Sequence, residues 1–183
     1  MAINLQKGQR ISLIKEAGGS LSKIVMGLGW DCSDGNDIDL DASCVLFDDD
    51  RQPLDAVYFG QLESSDGSIL HTGDNLTGEG DGDDEQIIVD LTKVAPEVKS
   101  LVFLVSSFTG DTFDEIENAF CRVVNGTNGQ ELARFDLSCS GEHTAMVMAK
   151  VYLHNGEWKM HAIGVYAEGR TFDDLMPEMQ ASL

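Results

Sequence analysis

Apolar and polar residues alternate with a period of two over much of this chain. Ile24, Met26, Leu28 and Trp30 alternate with Val25, Gly27 and Gly29, and Ile38, Leu40, Ala42, Cys44 and Leu46 alternate with Asp37, Asp39, Asp41 and Ser43. Successive side chains of a strand point to opposite faces, so both stretches predict strands with one apolar face. The alternation gives Cys44 an inward position. Residues 101–105 are continuously apolar, which predicts a strand buried on both faces. Further strands are expected at 11–15, 55–60, 86–91, 119–124, 131–137, 143–154 and 157–166.

Asn155-Gly156 carries the preference of a type I′ turn, because both central positions of that turn need positive φ. A two-residue loop there pairs Leu153 with Trp158, Val151 with Met160 and Ala149 with Ala162. Lys150 meets His161 and His154 meets Glu157 on the other face. Apolar opposes apolar and polar opposes polar, so the register is self-consistent. A second hairpin is expected over residues 125–129. Helical signals are few: a short turn at 112–118, and a C-terminal helix capped by Thr171 that covers one end of the core. Pro177 argues against a long one. Many short strands with 19 glycines indicate an all-β chain, a β-sandwich of two mainly antiparallel sheets with a few short helices. A single domain over residues 1–183 is expected, without internal repeats.

Charge changes the picture. The chain carries 32 acidic and 12 basic residues, a formal net charge of −20. Residues 31–50 hold eight acids and residues 74–90 hold seven, and neither window contains a Lys or Arg. A chain this acidic is a poor match for nucleic-acid phosphates, so no nucleic-acid partner is expected. No apolar run is long enough for a signal peptide or a membrane span, and the expected location is the cytoplasm. Cys32, Cys44, Cys121 and Cys139 lack the close spacing of a zinc site or a redox pair and read as free thiols.

Carboxylates packed without cations repel one another, by about 4 kcal/mol for a pair roughly 4 Å apart near a protein surface. A hard divalent cation relieves that cost. Asp37, Asp39 and Asp41 project from one strand face, and Asp31 lies just upstream of the Asp34-Gly35-Asn36 turn. In the second window Gly78, Gly80 and Gly82 alternate with Glu79, Asp81 and Asp83, ahead of Asp84 and Glu85. Carboxylates and backbone carbonyls on a flexible loop suit calcium better than the stricter octahedron of magnesium. The EF-hand spacing is absent, a calcium-binding nonapeptide would need stacked copies, and a phosphate loop would carry a Lys. The competing reading is a solvated acidic face, and it is preferred for Asp48, Asp49 and Asp50. No Ser-His-Asp or Cys-His set appears, and an enzyme is not expected. A hydrolase using a carboxylate-rich metal site is the alternative.

Three segments carry a resemblance: Gly-Leu-Gly-Trp-Asp at 27–31, Asp-Leu-Asp-Ala-Ser at 39–43, and the fifteen residues from His71 to Glu85. They resemble the hallmark segments of TerD-type tellurium-resistance and bacterial stress proteins, and the likeness runs on through residues 101–105, 119–125, 131–137 and 154–159. The resemblance implies a cytoplasmic calcium-binding β-sandwich of the stress response, peripheral to the inner membrane at most. It implies ligands at Asp31, Asp37, Asp39, Asp41, Asp74, Asn75, Gly78, Asp81, Asp83 and Glu85, with Asp84 and Glu79 behind them. Two adjacent Ca2+ ions are expected. Implied partners are proteins of a stress-resistance complex and a Ca2+-bridged membrane surface. The stretch 106–113 departs from the TerD pattern itself, which points to a paralogue.

Overall fold

A computed structural model describes residues 2–32, 38–73, 82–137 and 141–183. Twelve strands are described: β1 (Ile3–Asn4), β2 (Arg10–Ser12), β3 (Lys23–Cys32), β4 (Leu40–Phe47), β5 (Pro53–Val57), β6 (Ile69–His71), β7 (Glu85–Asp90), β8 (Ser100–Ser107), β9 (Ile116–Asn125), β10 (Glu131–Asp136), β11 (Ala145–His154) and β12 (Glu157–Ala167). Two helices, α1 (Leu13–Glu16) and α2 (Met176–Ala181), are short. The strands form two six-stranded sheets, ordered β1-β10-β9-β3-β7-β6 and β2-β12-β11-β8-β4-β5. The β1–β10 pair is parallel and the other pairs are antiparallel. This is the expected sandwich. No helix among the described residues is long and apolar enough to cross a membrane.

The main core lies between the sheets and takes the inward residues of the alternating patterns, including Ile24, Met26, Leu28, Trp30, Ile38, Leu40, Ala42 and Cys44. A second apolar cluster lies on the outer face of the β2–β5 sheet. Leu101, Phe103 and Val105 enter the main core, while Val102 and Leu104 enter the second cluster. The continuous run therefore does what an unbroken apolar strand must, burying both faces. Cys44 and Cys121 are free, buried thiols. Burial, with a smaller contribution from Asp55, pushes the Cys44 thiol far above its ordinary value. Burial pushes Cys121 up to about 12.

The hairpin joining β11 and β12 has the expected register. Leu153 faces Trp158, Lys150 faces His161 and His154 faces Glu157. Asn155 and Gly156 sit at φ 52° and 76°, as the type I′ turn requires. A bulge between Val147 and Ala149 shifts the pairing by one residue beyond that point. Residues 125–129 form the second hairpin, closed by the Asn125 N–H donating to Gln130 O at 2.8 Å.

Three expectations fail locally. Residues 11–15 are not one strand: β2 ends at Ser12 and α1 follows. Gly18 and Gly19, both at positive φ, donate to Lys15 O and Ile14 O, and this glycine cap closes a helical turn that outweighs the alternation. The expected helical turn at 112–118 shrinks to a 3-10 turn at Phe113–Glu115, because Ile116 and Glu117 pair with Cys32 and Asp31 at the start of β9. Thr171 does not cap the last helix with its side chain; instead Asp174 accepts the backbone N–H groups of Arg170 and Thr171. The helix starts at Met176, with Pro177 in its first turn, and Leu175 and Met179 cover the outer face of a sheet rather than an end of the core.

Candidate functional site

Both acidic windows border the same end of the sandwich, where β3 ends, β4 begins and β7 begins. Two glycines of β3 make the approach possible. A Cβ at Gly27 would lie 2.3 Å from the Asp83 carboxylate, and one at Gly29 would lie 2.6 Å from Gly82 O. Residues 82–84 can cross the outer face of β3 only because these two positions have no side chain. Asp84 N–H donates to Leu28 O at 2.8 Å. Asp84 Oδ2 accepts the Trp30 N–H at 2.9 Å. The Trp30 indole N–H donates to Ile38 O at 3.2 Å and so links the end of β3 to the approach to β4.

Three consecutive acids then take three directions. Asp83 turns onto the outer face of its sheet, where Arg122 of β9 donates to both carboxylate oxygens at 2.7 and 3.1 Å. Gln86 adds a further bond at 3.0 Å, and the Asp83 side chain is 1% exposed. Arg122 also reaches Glu131 at 2.9 Å. The hydrogen bonds that Arg122 donates to Asp83 hold its guanidinium more firmly protonated still. Glu85 turns into the sandwich. Its Oε2 accepts the Ala42 N–H of the facing sheet at 2.7 Å and lies 3.3 Å from His71 Nε2, with both side chains fully buried. Because Gly73 N–H donates to His71 Nδ1 at 3.1 Å, the ring's own proton sits on Nε2, toward Glu85. That contact is close but poorly aligned for a hydrogen bond. Asp84 remains at the rim. Its carboxyl is held above the usual range, first by burial and then by the charges of Asp31 and Asp83, against the opposing Trp30 N–H.

Asp31 is exposed and accepts a bond from Asn118 Nδ2 at 2.8 Å. Glu117 stands directly opposite Asp31 across β3 and β9, an arrangement that like charges oppose. Asp39 is half-buried just before β4, and Asp41 is 3% exposed within it, opposite Ser106. Asp31, Asp39, Asp41 and Asp84 thus belong to one end of the sandwich. Asp83 and Glu85 start there but are engaged by Arg122, and by Ala42 with His71. Asp37, Asp74, Asn75, Gly78, Glu79 and Asp81 lie outside the described residues, as do the thiol of Cys32 and the whole of Cys139. Among the described residues no three His, Cys, Asp or Glu side chains are arranged to hold a metal by themselves.

Sequence reasoning missed three participants. Arg122 supplies counter-charge to a window that has none of its own, His71 backs Glu85, and Glu117 adds an acid beside Asp31. Alternation along β9 puts Arg122 and Glu117 off the core, yet only the β9-β3-β7 order of the sheet brings them to these partners.

The architecture and its rim define the class: a mainly antiparallel β-sandwich with acidic residues at the end where β3 stops and β4 and β7 start. The chain belongs to the TerD family, a family of tellurium-resistance and stress-response proteins; the TerD domain model matches residues 1–177. It is 45% identical to the tellurium resistance protein TerZ of Serratia marcescens, over 99% of this chain and 98% of that protein. It is 41% identical to general stress protein 16U of Bacillus subtilis (strain 168), over 92% of this chain and 93% of that protein. A solved homologue of telluride resistance protein (TerD) from Streptomyces coelicolor A3(2) superimposes with a TM-score of 0.73 over 88% of this chain and 98% of its own, at 22% identity. That likeness bears on the fold alone.

Proposed function

We propose that this chain is a calcium-binding module of the tellurium- and stress-resistance response, acting by binding rather than by catalysis. The observation that carries this reading is that Asp31, Asp39, Asp41 and Asp84 stand where β3 ends and β4 and β7 begin, next to both acidic segments. The donor set fits a hard cation, since every side chain in it offers oxygen and no sulfur or imidazole intervenes. The raised pKa of Asp84 supports the same reading, because burial together with neighbouring carboxylates disfavours its charge in the absence of a cation. Asp31, Asp39, Asp41 and Asp84 would hold the metal with Asp37, Asp74, Asn75, Gly78 and Asp81, which is donor enough for two ions. Asp83 and Glu85 serve chiefly to place the loop. Bound Ca2+ would supply positive charge at an otherwise negative rim.

That rim borders an exposed aromatic pair. Phe108 follows Ser107, the partner of Leu40, and its ring centroid lies 5.5 Å from that of Phe59. Both rings are more than a third exposed. Calcium beside exposed aromatics suits an anionic partner surface, either a protein of the same resistance system or a membrane. Calorimetric titration of chelator-treated protein with CaCl2 is expected to give saturable heat, and added calcium is expected to raise the melting temperature. An Asp31→Asn plus Asp84→Asn variant should bind at least about tenfold more weakly, since it removes two charged ligands. No heat and no thermal shift in the parent protein would reject the reading.

A further inference from the structure

Away from the acidic end, the outer face of the β2–β5 sheet carries a row of basic residues. Lys150 on β11 pairs directly with His161 on β12, and His161 pairs directly with Arg10 on β2. Side chains opposite one another on adjacent antiparallel strands share a face, with Cβ atoms about 5 Å apart. Once protonated, His161 is repelled from both sides, and a sequence with 32 acids had ample means to interpose one. Among the described residues no acid forms an ion pair with any of the three. Lys159, in the next register position opposite Ser12, adds a fourth basic residue. The nearby acid, Glu157, accepts instead from the Ser12 hydroxyl at 3.3 Å.

We propose that Arg10, His161 and Lys150 form a binding site for a phosphate-type oxyanion, laid across three strands on this face. Arg10 is exposed and offers a guanidinium fork suited to a tetrahedral oxyanion. Lys150 is half-buried and spends one N–H on Ser182 O at 2.8 Å, which leaves two donors. Nδ1 of His161 is buried without a hydrogen-bond partner. Burial, then the charges of Arg10 and Lys150, holds His161 below the ordinary imidazole range. Burial, then Arg10 and Arg51, lowers Lys150 as well. A bound oxyanion reverses these electrostatic contributions, so binding is accompanied by proton uptake at His161. The site is independent of the calcium reading and holds or fails without it.

The test uses the whole chain in chelator at about pH 6.5, the unperturbed imidazole value. Inorganic phosphate is titrated while NMR follows the His161 ring and the backbone. The expected result is saturable shifts centred on Arg10, Lys150 and His161, with His161 titrating at higher pH when phosphate is present. Arg10→Gln and Lys150→Gln should each weaken binding about tenfold, the scale of one charge-assisted hydrogen bond. Lys99→Gln should leave it unchanged. Arg10 is exposed, so its variant reports binding even where the Lys150 substitution disturbs packing. A parallel arm uses phosphatidylglycerol vesicles: retention lost in both variants, with no response to free phosphate, makes a lipid headgroup the source of the oxyanion. No response in either arm, or responses unchanged in both variants, overturns the proposal.

Discussion

Glu85 shows how one carboxylate can serve two sheets. It belongs to β7, yet its Oε2 accepts the Ala42 N–H of β4 and faces His71 of β6, and nothing of the side chain is exposed. Removing it leaves a buried donor of the facing sheet without an acceptor, beside a buried imidazole. Glu85→Ala is therefore expected to cost about 2–4 kcal/mol, read as a lowered urea midpoint, far above the value for a surface acid. A cost below about 1 kcal/mol would mean that water or a neighbour takes over the bond. His161 gives a pH signature of opposite origin. Its pKa in the fold lies below that of the unfolded chain, so its stabilising contribution is complete above about pH 6.5 and is lost as pH falls through the folded value. The wild type should lose more stability between about pH 7.5 and pH 5.5 than His161→Gln does, measured as urea midpoints. An equal loss in both would show that the ring titrates normally.

Among the elements, α2 has a larger role than its six residues suggest. Leu175 and Met179 are fully buried against Val45, Phe47, Val102, Leu104 and Val147, on the outward side of the β2–β5 sheet. This part of the sheet is covered on its outer face as well, by α2 together with Phe172, Leu175 and Leu183 beside it. Met179→Ala is expected to destabilise by about 2–4 kcal/mol, as a buried truncation with incomplete collapse does, and urea unfolding followed by circular dichroism measures it. An exposed position such as Ala181 should tolerate change. The register of the β11–β12 hairpin was legible because a two-residue Asn-Gly loop leaves one pairing that keeps both faces consistent. The double burial of β8 was legible from its unbroken apolar run. What α2 covers was not, since a helix of six residues carries no face signal of its own. Nor could β1 and β6 be read, because strands of two and three residues exist through their neighbours, as in the Leu5 N–H bond to Arg134 O.

On the scale of the whole molecule, charge is segregated. Acids collect where β3, β4 and β7 meet, and a row of basic residues crosses β2, β12 and β11 further along the strands. The acid windows were visible in the sequence as runs without Lys or Arg. Their division of labour was not. Asp83 finds its counter-charge on Arg122, 39 residues away, only because β3 brings β7 and β9 together on its two sides. Local absence of basic residues is thus a weaker argument for metal than it looks, and the case rests on Asp31, Asp39, Asp41 and Asp84, which Arg122 does not neutralise. A crystal grown in millimolar CaCl2 and measured for anomalous scattering tests that case most directly. The account predicts anomalous peaks at this end of the sandwich, with Asp84 and at least two of Asp31, Asp39 and Asp41 supplying oxygens at about 2.3–2.6 Å. Ordered acidic segments whose carboxylates face solvent, with no peak between them, would contradict it.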